Sequence, residues 1–201
     1  MRIAMSMSQA STKVSSAPGR IFPTPQSRTK SLERFYLDRF KSPIGVALLV
    51  TDAEGTLCAL DWVDYEDRMA ALMRQQYGGS ELVEGKAPAS IIAALKAYFA
   101  GDLAGLRAIP CRFGGTSFQR EVWSALREIA PGKTISYGAL AARIDRPKAV
   151  RAVGHANGAN PISVVVPCHR VIGSNGTLTG YGGGLERKRW LLAHEGVDIT
   201  T

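Results

Sequence analysis

The run Ile162-Ser163-Val164-Val165-Val166 is almost continuously apolar, so wherever the chain folds this segment has to be buried; it leads directly into Pro167-Cys168-His169-Arg170. A short apolar run rich in β-branched residues reads as a core strand. The fold must therefore deliver a thiol, an imidazole and a guanidinium from the end of a buried strand. Cysteine is only a few per cent thiolate at neutral pH unless its surroundings lower a free pKa of about 8.5, so a neighbouring base or positive charge decides whether it reacts. His169 and Arg170 are of the right type. Successive side chains on an extended segment point to opposite sides, so a direct Cys168 to His169 hydrogen bond is not expected, and a water or a third residue belongs between them. A structural cysteine at a strand end fits the same four residues, because free cysteine is among the most buried residue types. Both readings stand at this level.

The remaining cysteines, Cys58 and Cys111, are far apart and form no C-x-x-C pair. Metal and redox chemistry are therefore not expected, and the cysteine pattern predicts a reducing, intracellular setting. No apolar stretch approaches the roughly 20 residues a membrane span needs. The net charge of +8 is unevenly placed. Residues 1–32 carry five basic and no acidic side chains, residues 33–111 eight basic and eleven acidic, and residues 112–201 twelve basic and six acidic. A basic C-terminal part beside an acidic-leaning middle predicts a polyanionic partner, DNA first. The leader, rich in Ser, Thr, Pro and bases, lacks the apolar core of a secretory signal and is expected to be a disordered tail; a transit peptide is the alternative.

After the leader, Arg34–Phe40, Ile44–Thr51 and Leu57–Trp62 are predicted strands separated by the turns Lys41-Ser42-Pro43 and Asp52-Ala53-Glu54-Gly55, which makes a small antiparallel meander. Helices are predicted over Asp64–Tyr77, stopped by Gly78-Gly79, and over Pro88–Ala100, stopped by Gly101. Cys58, inside an apolar strand, is expected in the core, and no catalytic constellation is visible in this half.

Leu106–Gly115 reads as a linker. Thr116 with Gln119 forms a capping box for a scaffold helix whose apolar face is Phe118, Val122, Ala125, Leu126 and Ile129. Ser136–Ile144 and Pro147–Asn157, joined by Asp145-Arg146, follow the pattern of a helix-turn-helix with the second helix toward DNA. Arg143, Arg146, Lys148 and Arg151 lie in or beside it, and the small residues Ala149, Ala152, Gly154, Ala156 and Gly158 would permit close approach to a groove. Ser174-Asn175-Gly176-Thr177 reads as a tight hairpin turn and Leu185–His194, closed by Gly196, as a last helix. The fold class is thus α+β. A small N-terminal antiparallel sheet with helices (33–107) is followed by a linker (108–115) and a mostly helical, winged-helix-like domain with a helix-turn-helix (116–198).

Several segments in order, Asn160 to Gly173 around the Pro-Cys-His-Arg run, Gly115 to Trp123, Gly132 to Gly138, Arg151 to Gly154, and Gly180-Tyr181 with Trp190 to Gly196, resemble the O6-alkylguanine-DNA alkyltransferases, also called methylated-DNA-protein-cysteine methyltransferases. The resemblance is close over about residues 112–197, and several motifs in one order are far more specific than a four-residue match. It implies DNA repair by direct damage reversal: a single, irreversible transfer of the alkyl group from O6-alkylguanine, and from O4-alkylthymine, in double-stranded DNA to the protein. It assigns Cys168 as alkyl acceptor, His169 as the base acting through a water, Glu195 as the group that holds the imidazole, Tyr137 as hydrogen-bond donor to the leaving guanine, and Asn160 as the hinge between recognition helix and active-site segment. Val171, Tyr181 and Gly182 fall on the base-pocket wall, and many relatives carry serine at the Gly182 position. Arg151 matches the arginine that fills the gap left by an extruded base in the minor groove, with Arg143, Arg146 and Lys148 on phosphates and Ala152 and Gly154 at the groove. Extrusion follows from chemistry, since a stacked base hides its O6 substituent from a nucleophile.

The resemblance implies no cofactor, no metal, a monomer, no membrane partner, and a cytoplasmic location of bacterial type, or a nuclear one in a eukaryote. Self-alkylated relatives that act as activators carry a cysteine-rich N-terminal domain, and the cysteine-free leader predicts no such regulatory half. Three rivals remain at this level. A cysteine hydrolase would take Cys and His from separated segments, a non-enzymatic lesion sensor would lack Cys168, and a winged-helix regulator would need no Pro-Cys-His-Arg run.

Overall fold

The computed structural model describes residues 32–198, so the expectation of a disordered leader falls outside the described residues apart from its last position. Strands β1 (Glu33–Ser42), β2 (Gly45–Thr51) and β3 (Leu57–Trp62) form the expected antiparallel meander. The β2–β3 turn closes where the Thr56 N–H donates to Asp52 Oδ1 at 2.8 Å. Helix α1 (Glu66–Tyr77) begins later than expected because Val63–Tyr65 forms a 3-10 turn first. A fourth strand, β4 (Ser80–Glu84), returns beside β1 in parallel, giving the order β3-β2-β1-β4. Its side chains are half-buried or exposed throughout, so the sequence holds no apolar alternation to announce it. Helix α2 (Ala89–Phe99) follows Pro88.

The sheet is buried on both faces. On one, Phe35, Leu48 and Val50 pack with Met69 and Met73 of α1, and Cys58 belongs to this core, where burial pushes its thiol up to about 12. On the other, Leu49, Leu57, Leu60 and Trp62 share one continuous core with Ile91, Leu95 and Tyr98 of α2 and with Trp123, Leu140, Val166 and Leu191 from the C-terminal half. Each fully buried large side chain contributes roughly 1.5–3 kcal/mol. The outer edge of β3 is covered by two later segments: Leu57 exchanges backbone hydrogen bonds with Pro110 and Arg112, and Leu60 with Pro161 and Ser163. The segment expected as a linker is thus docked along the sheet, satisfying an edge that would otherwise expose unpaired N–H and C=O groups.

In the second half, α3 (Ser117–Arg127) opens on the predicted Thr116–Gln119 capping box, with both hydrogen bonds made. Trp123 on its buried face donates from Nε1 to Ala156 O at 2.8 Å. The short strands β5 (Ile135–Ser136) and β6 (Val171–Ile172) pair in parallel. Between them lie α4 (Tyr137–Arg143) and α5 (Val150–Gly158), and α6 (Leu185–His194) ends the fold. The second helix of the pair starts three residues later than expected. Pro147 disfavours helical backbone at Arg146, Asp145 takes a left-handed φ of 56°, and Arg146–Ala149 becomes a tight turn instead. The predicted turn at 174–177 is present, closed by Gly173 N–H to Thr177 O at 2.9 Å. Among the described residues, no helix is long and apolar enough to cross a membrane.

One expectation is corrected. Ile162–Val166 is not a strand: after a single bridge from Ile162 to Leu60 the chain coils, with Val166 N–H bonded to Ile162 O at 2.9 Å. The run is apolar because it is enclosed on all sides, and burial alone does not require extension. Val164 takes a left-handed φ of 70° and is 1% exposed. For a β-branched residue that conformation costs on the order of 1–3 kcal/mol, which the surrounding packing must hold.

Candidate active site

Asn160 sets the geometry of this coil. It leaves α5 fully buried, its Oδ1 accepts from the Ile162 N–H at 3.0 Å, and its Nδ2 donates to Val166 O at 2.8 Å. The same amide donates to Cys168 Sγ at 3.0 Å. Cys168, His169 and Arg170 form one 3-10 turn, all three buried, rather than the alternating strand end that the sequence suggests. Burial pushes the Cys168 thiol up; the Asn160 hydrogen bond and the charges of Arg68 and Lys188 oppose that rise.

Behind the thiol lies a chain of charge. Glu195 Oε1 accepts from His169 Nε2 at 2.9 Å, from Arg170 Nη2 at 2.8 Å and from the Tyr98 hydroxyl at 2.8 Å, while Oε2 accepts from Arg170 Nε at 2.8 Å. Burial by itself would raise this carboxyl, but the hydrogen bonds from His169 and Arg170 and the Arg170 charge outweigh it and hold Glu195 well below the usual carboxylate range. An ionised carboxylate only accepts, so the His169 proton sits on Nε2 and Nδ1 presents a lone pair. That Nδ1 is buried and has no hydrogen-bond partner among the described residues. Burial also keeps the imidazole below its ordinary 6.5, hence neutral near pH 7. A neutral imidazole oriented by a carboxylate, one residue from a cysteine, is the nucleophile, base and orienter pattern.

Residues 34–113 match the family model of the 6-O-methylguanine DNA methyltransferase ribonuclease-like domain, and residues 117–197 that of the 6-O-methylguanine DNA methyltransferase DNA binding domain. The methylated-DNA–protein-cysteine methyltransferase of Salmonella typhimurium is 52% identical over 165 residues, covering 81% of this chain and 96% of the relative. The chain belongs to the 6-O-methylguanine DNA methyltransferase family. The enzyme of the same name from Methanosarcina acetivorans is 44% identical over 161 residues, covering 80% of this chain and 98% of that one. Among solved structures, Mycobacterium tuberculosis OGT in complex with DNA superposes with a TM-score of 0.68 at 40% identity, covering 81% of this chain and 92% of that one.

The other residues singled out in this methyltransferase sequence fall into two groups. Of the residues expected at the base pocket, the Tyr137 hydroxyl shares a 2.9 Å hydrogen bond with Thr179 Oγ1. The Tyr181 ring stands edge-on to His169 with centroids 6.4 Å apart, and Val171 is fully buried. Gly182 faces away from open space, because a Cβ there would collide with the Arg68 guanidinium. On the surface, Arg143, Arg146, Lys148, Arg151 and Ala152 are all exposed around α4 and α5. The small residues divide: Ala152 and Gly158 are exposed, whereas Ala156 is buried under Trp123. Gly154 lies against the Tyr137 ring, 3.8 Å from a built Cβ. Burial takes Ala156 out of its expected place at a groove, whereas half-buried Gly154 has room for a methyl group beside Tyr137.

Three residues of this site escaped the sequence. Arg68 of α1 pairs with the buried Asp61 and donates to Gly158 O at 2.8 Å and Asn160 O at 3.2 Å, gripping the end of α5 from the N-terminal half. Nothing in its local pattern marks it. Lys188 is fully buried and donates to Val171 O at 2.7 Å and Thr179 O at 3.1 Å; burial pushes it down to about 8. Its place on the apolar stripe of α6, three residues before Leu191, is the signal that was available. Tyr98 was visible only as an apolar position of α2.

Proposed function

We infer that this chain repairs DNA by moving an alkyl group from O6-alkylguanine in a duplex onto Cys168, as a monomer acting once per molecule. The observation that carries this reading is the unpartnered Nδ1 of a neutral His169, backed by an ionised Glu195, beside a thiol whose sulfur accepts from Asn160. In the reaction, Cys168 Sγ forms a bond to the alkyl carbon as that carbon's bond to O6 breaks. The thiol proton passes through a water to His169 Nδ1, and Tyr137, freed from Thr179, supplies a hydrogen bond to the departing guanine. The Asn160 amide favours the developing thiolate and offsets the cost of burial.

Cys168 is only 4% exposed, and we read Tyr181 and Gly182 as one wall of the pocket through which the base reaches it. Val171 then forms the opposite wall of the base pocket. The exposed arginines and lysine around α5 support phosphate binding without sequence preference, and Arg151 is placed to occupy the gap of an extruded base. We read residues 33–107 and 116–198 as two domains joined by 108–115, with transfer chemistry on the second.

Incubation with a duplex containing O6-methylguanine, followed by intact mass and peptide mapping, tests the reading. One added methyl group on the peptide holding Cys168 is expected. Methylation elsewhere, or steady turnover of an ester without alkylation, removes it.

A further inference from the structure

We propose that Tyr98, contributed by α2 of the N-terminal half, is a positioning residue for alkyl transfer, acting on Cys168 through Glu195 and His169. The proposal rests on the assignment of Cys168 and His169 given under the proposed function. The phenol is fully buried, and its hydroxyl donates to Glu195 Oε1, the same oxygen that accepts from His169 Nε2. Two independent contacts fix Tyr98 in place. His194 Nε2 lies 2.7 Å from Tyr98 O, and the Tyr98 ring meets the His194 and Phe99 rings edge-on at 5.2 Å each. Trp190 stacks on His194 at 4.7 Å, so the residue preceding Glu195 is clamped to α2.

The chemistry follows from the sharing of one oxygen. Arg170 binds both carboxylate oxygens and holds the plane of Glu195, and Tyr98 adds a further donor on Oε1, the oxygen that faces His169. A hydrogen bond from Tyr98 draws electron density from Oε1, which weakens its hold on the imidazole proton and keeps His169 from becoming a stable cation before transfer. It also fixes the direction of Oε1, and through Nε2 the direction in which Nδ1 points at the thiol. The charged or titratable groups that face His169 are Glu195, Arg170, Lys188, Cys168 and Tyr181 from the C-terminal half, with Arg68 and Asp61 of the N-terminal half acting on Cys168 and Tyr181 behind them. With Arg68 holding Asn160 O, Tyr98 is a second contribution of the N-terminal half to the transfer site.

Tyr98→Phe removes one oxygen and keeps the ring, and it is to be compared with wild type by single-turnover rate against pH, using a duplex containing O6-methylguanine. Where His169 is unprotonated, a rate lower by up to about tenfold is expected because Oε1 and Nδ1 lose their fixed direction, bounded by the size of one hydrogen bond to a charged group. The acid limb of the profile should move to higher pH, because the released carboxylate now holds the imidazolium more firmly. In a Glu195→Gln background the same substitution should change neither rate nor profile, since the route through the carboxylate is gone. A Tyr98→Phe protein with wild-type rate and profile, or one with lower thermal stability but an unmoved acid limb, overturns the proposal. Should Tyr98→Phe not fold, replacement of Tyr98 by a fluorinated tyrosine of lower phenol pKa keeps the test: the acid limb should move to lower pH, and an unmoved limb overturns it. Absence of methyl on Cys168 in the wild-type protein marks failure of the underlying assignment instead, and the proposal falls with it.

Discussion

Gly182→Ser isolates how tightly the two halves are joined at the site. Gly182 has no positive φ, so serine meets no backbone penalty of its own, but its Cβ would occupy the space of the Arg68 guanidinium. Arg68 is a flexible side chain 23% exposed, so it can swing outward; the cost lies in what it leaves. A small displacement that keeps Asp61 forfeits the bonds to Gly158 O and Asn160 O, worth together about 2 kcal/mol after solvent takes over part of the Arg68 charge. A full departure strands Asp61, whose side chain is 1% exposed and retains only the Trp62 N–H at 3.0 Å, and breaking a buried pair from one side costs about 3–5 kcal/mol. The expected loss is therefore about 2–5 kcal/mol, to be read from the midpoint of urea unfolding at unchanged slope. In an Arg68→Ala background the same substitution should cost less than about 0.5 kcal/mol, because the collision is gone. Equal losses in both backgrounds, or a single mutant within about 0.5 kcal/mol of wild type, would refute the argument.

Arg151→Ala should slow repair of duplex DNA far more than reaction with free O6-benzylguanine, which needs no extrusion; equal slowing of both would take Arg151 out of the flipping role. Mixed with excess methylated duplex, the protein should give a burst equal to its concentration and then stop, since a thioether carbon–sulfur bond offers water no leaving group; repair past one equivalent would exclude irreversible self-alkylation. The acid limb of the transfer rate should lie below pH 6.5, because burial lowers His169 and a base of depressed pKa stays unprotonated further into acid. Stability carries the same sign: below 6.5 the unfolded chain takes a proton that folded His169 refuses, so urea midpoints should fall from about pH 6.5 downward, and Glu195, also depressed, should add a further loss below about pH 4.5. A His169→Asn variant should lose the upper part of that decline and keep only a reduced lower part, since His169 as well as Arg170 holds Glu195 down.

The order of local elements was legible because each depends on near neighbours. The capping box at Thr116–Gln119, the span of α6 and the meander β1–β3 follow from spacing, turn residues and periodicity, which act over a few residues. The motifs from Gly115 to Gly196 likewise identified the family, and they named Cys168, His169, Asn160 and Glu195 as the residues to find together. What lay beyond local reach was everything set by pairing at a distance. Strand β4 has no apolar pattern and exists because α1 returns it beside β1. The coil at 162–166 was read as a strand because apolar composition reports burial and says nothing of direction; Asn160, holding Ile162, Val166 and Cys168 at once, winds it up. The charges around the thiol were equally hidden. Arg68 lies 92 residues before its acceptor Asn160, and Tyr98 lies 97 before Glu195. A sequence shows which side chains can donate or accept, but a hydrogen bond needs its two atoms within about 3 Å, and for partners so far apart along the chain only the packed core brings them there.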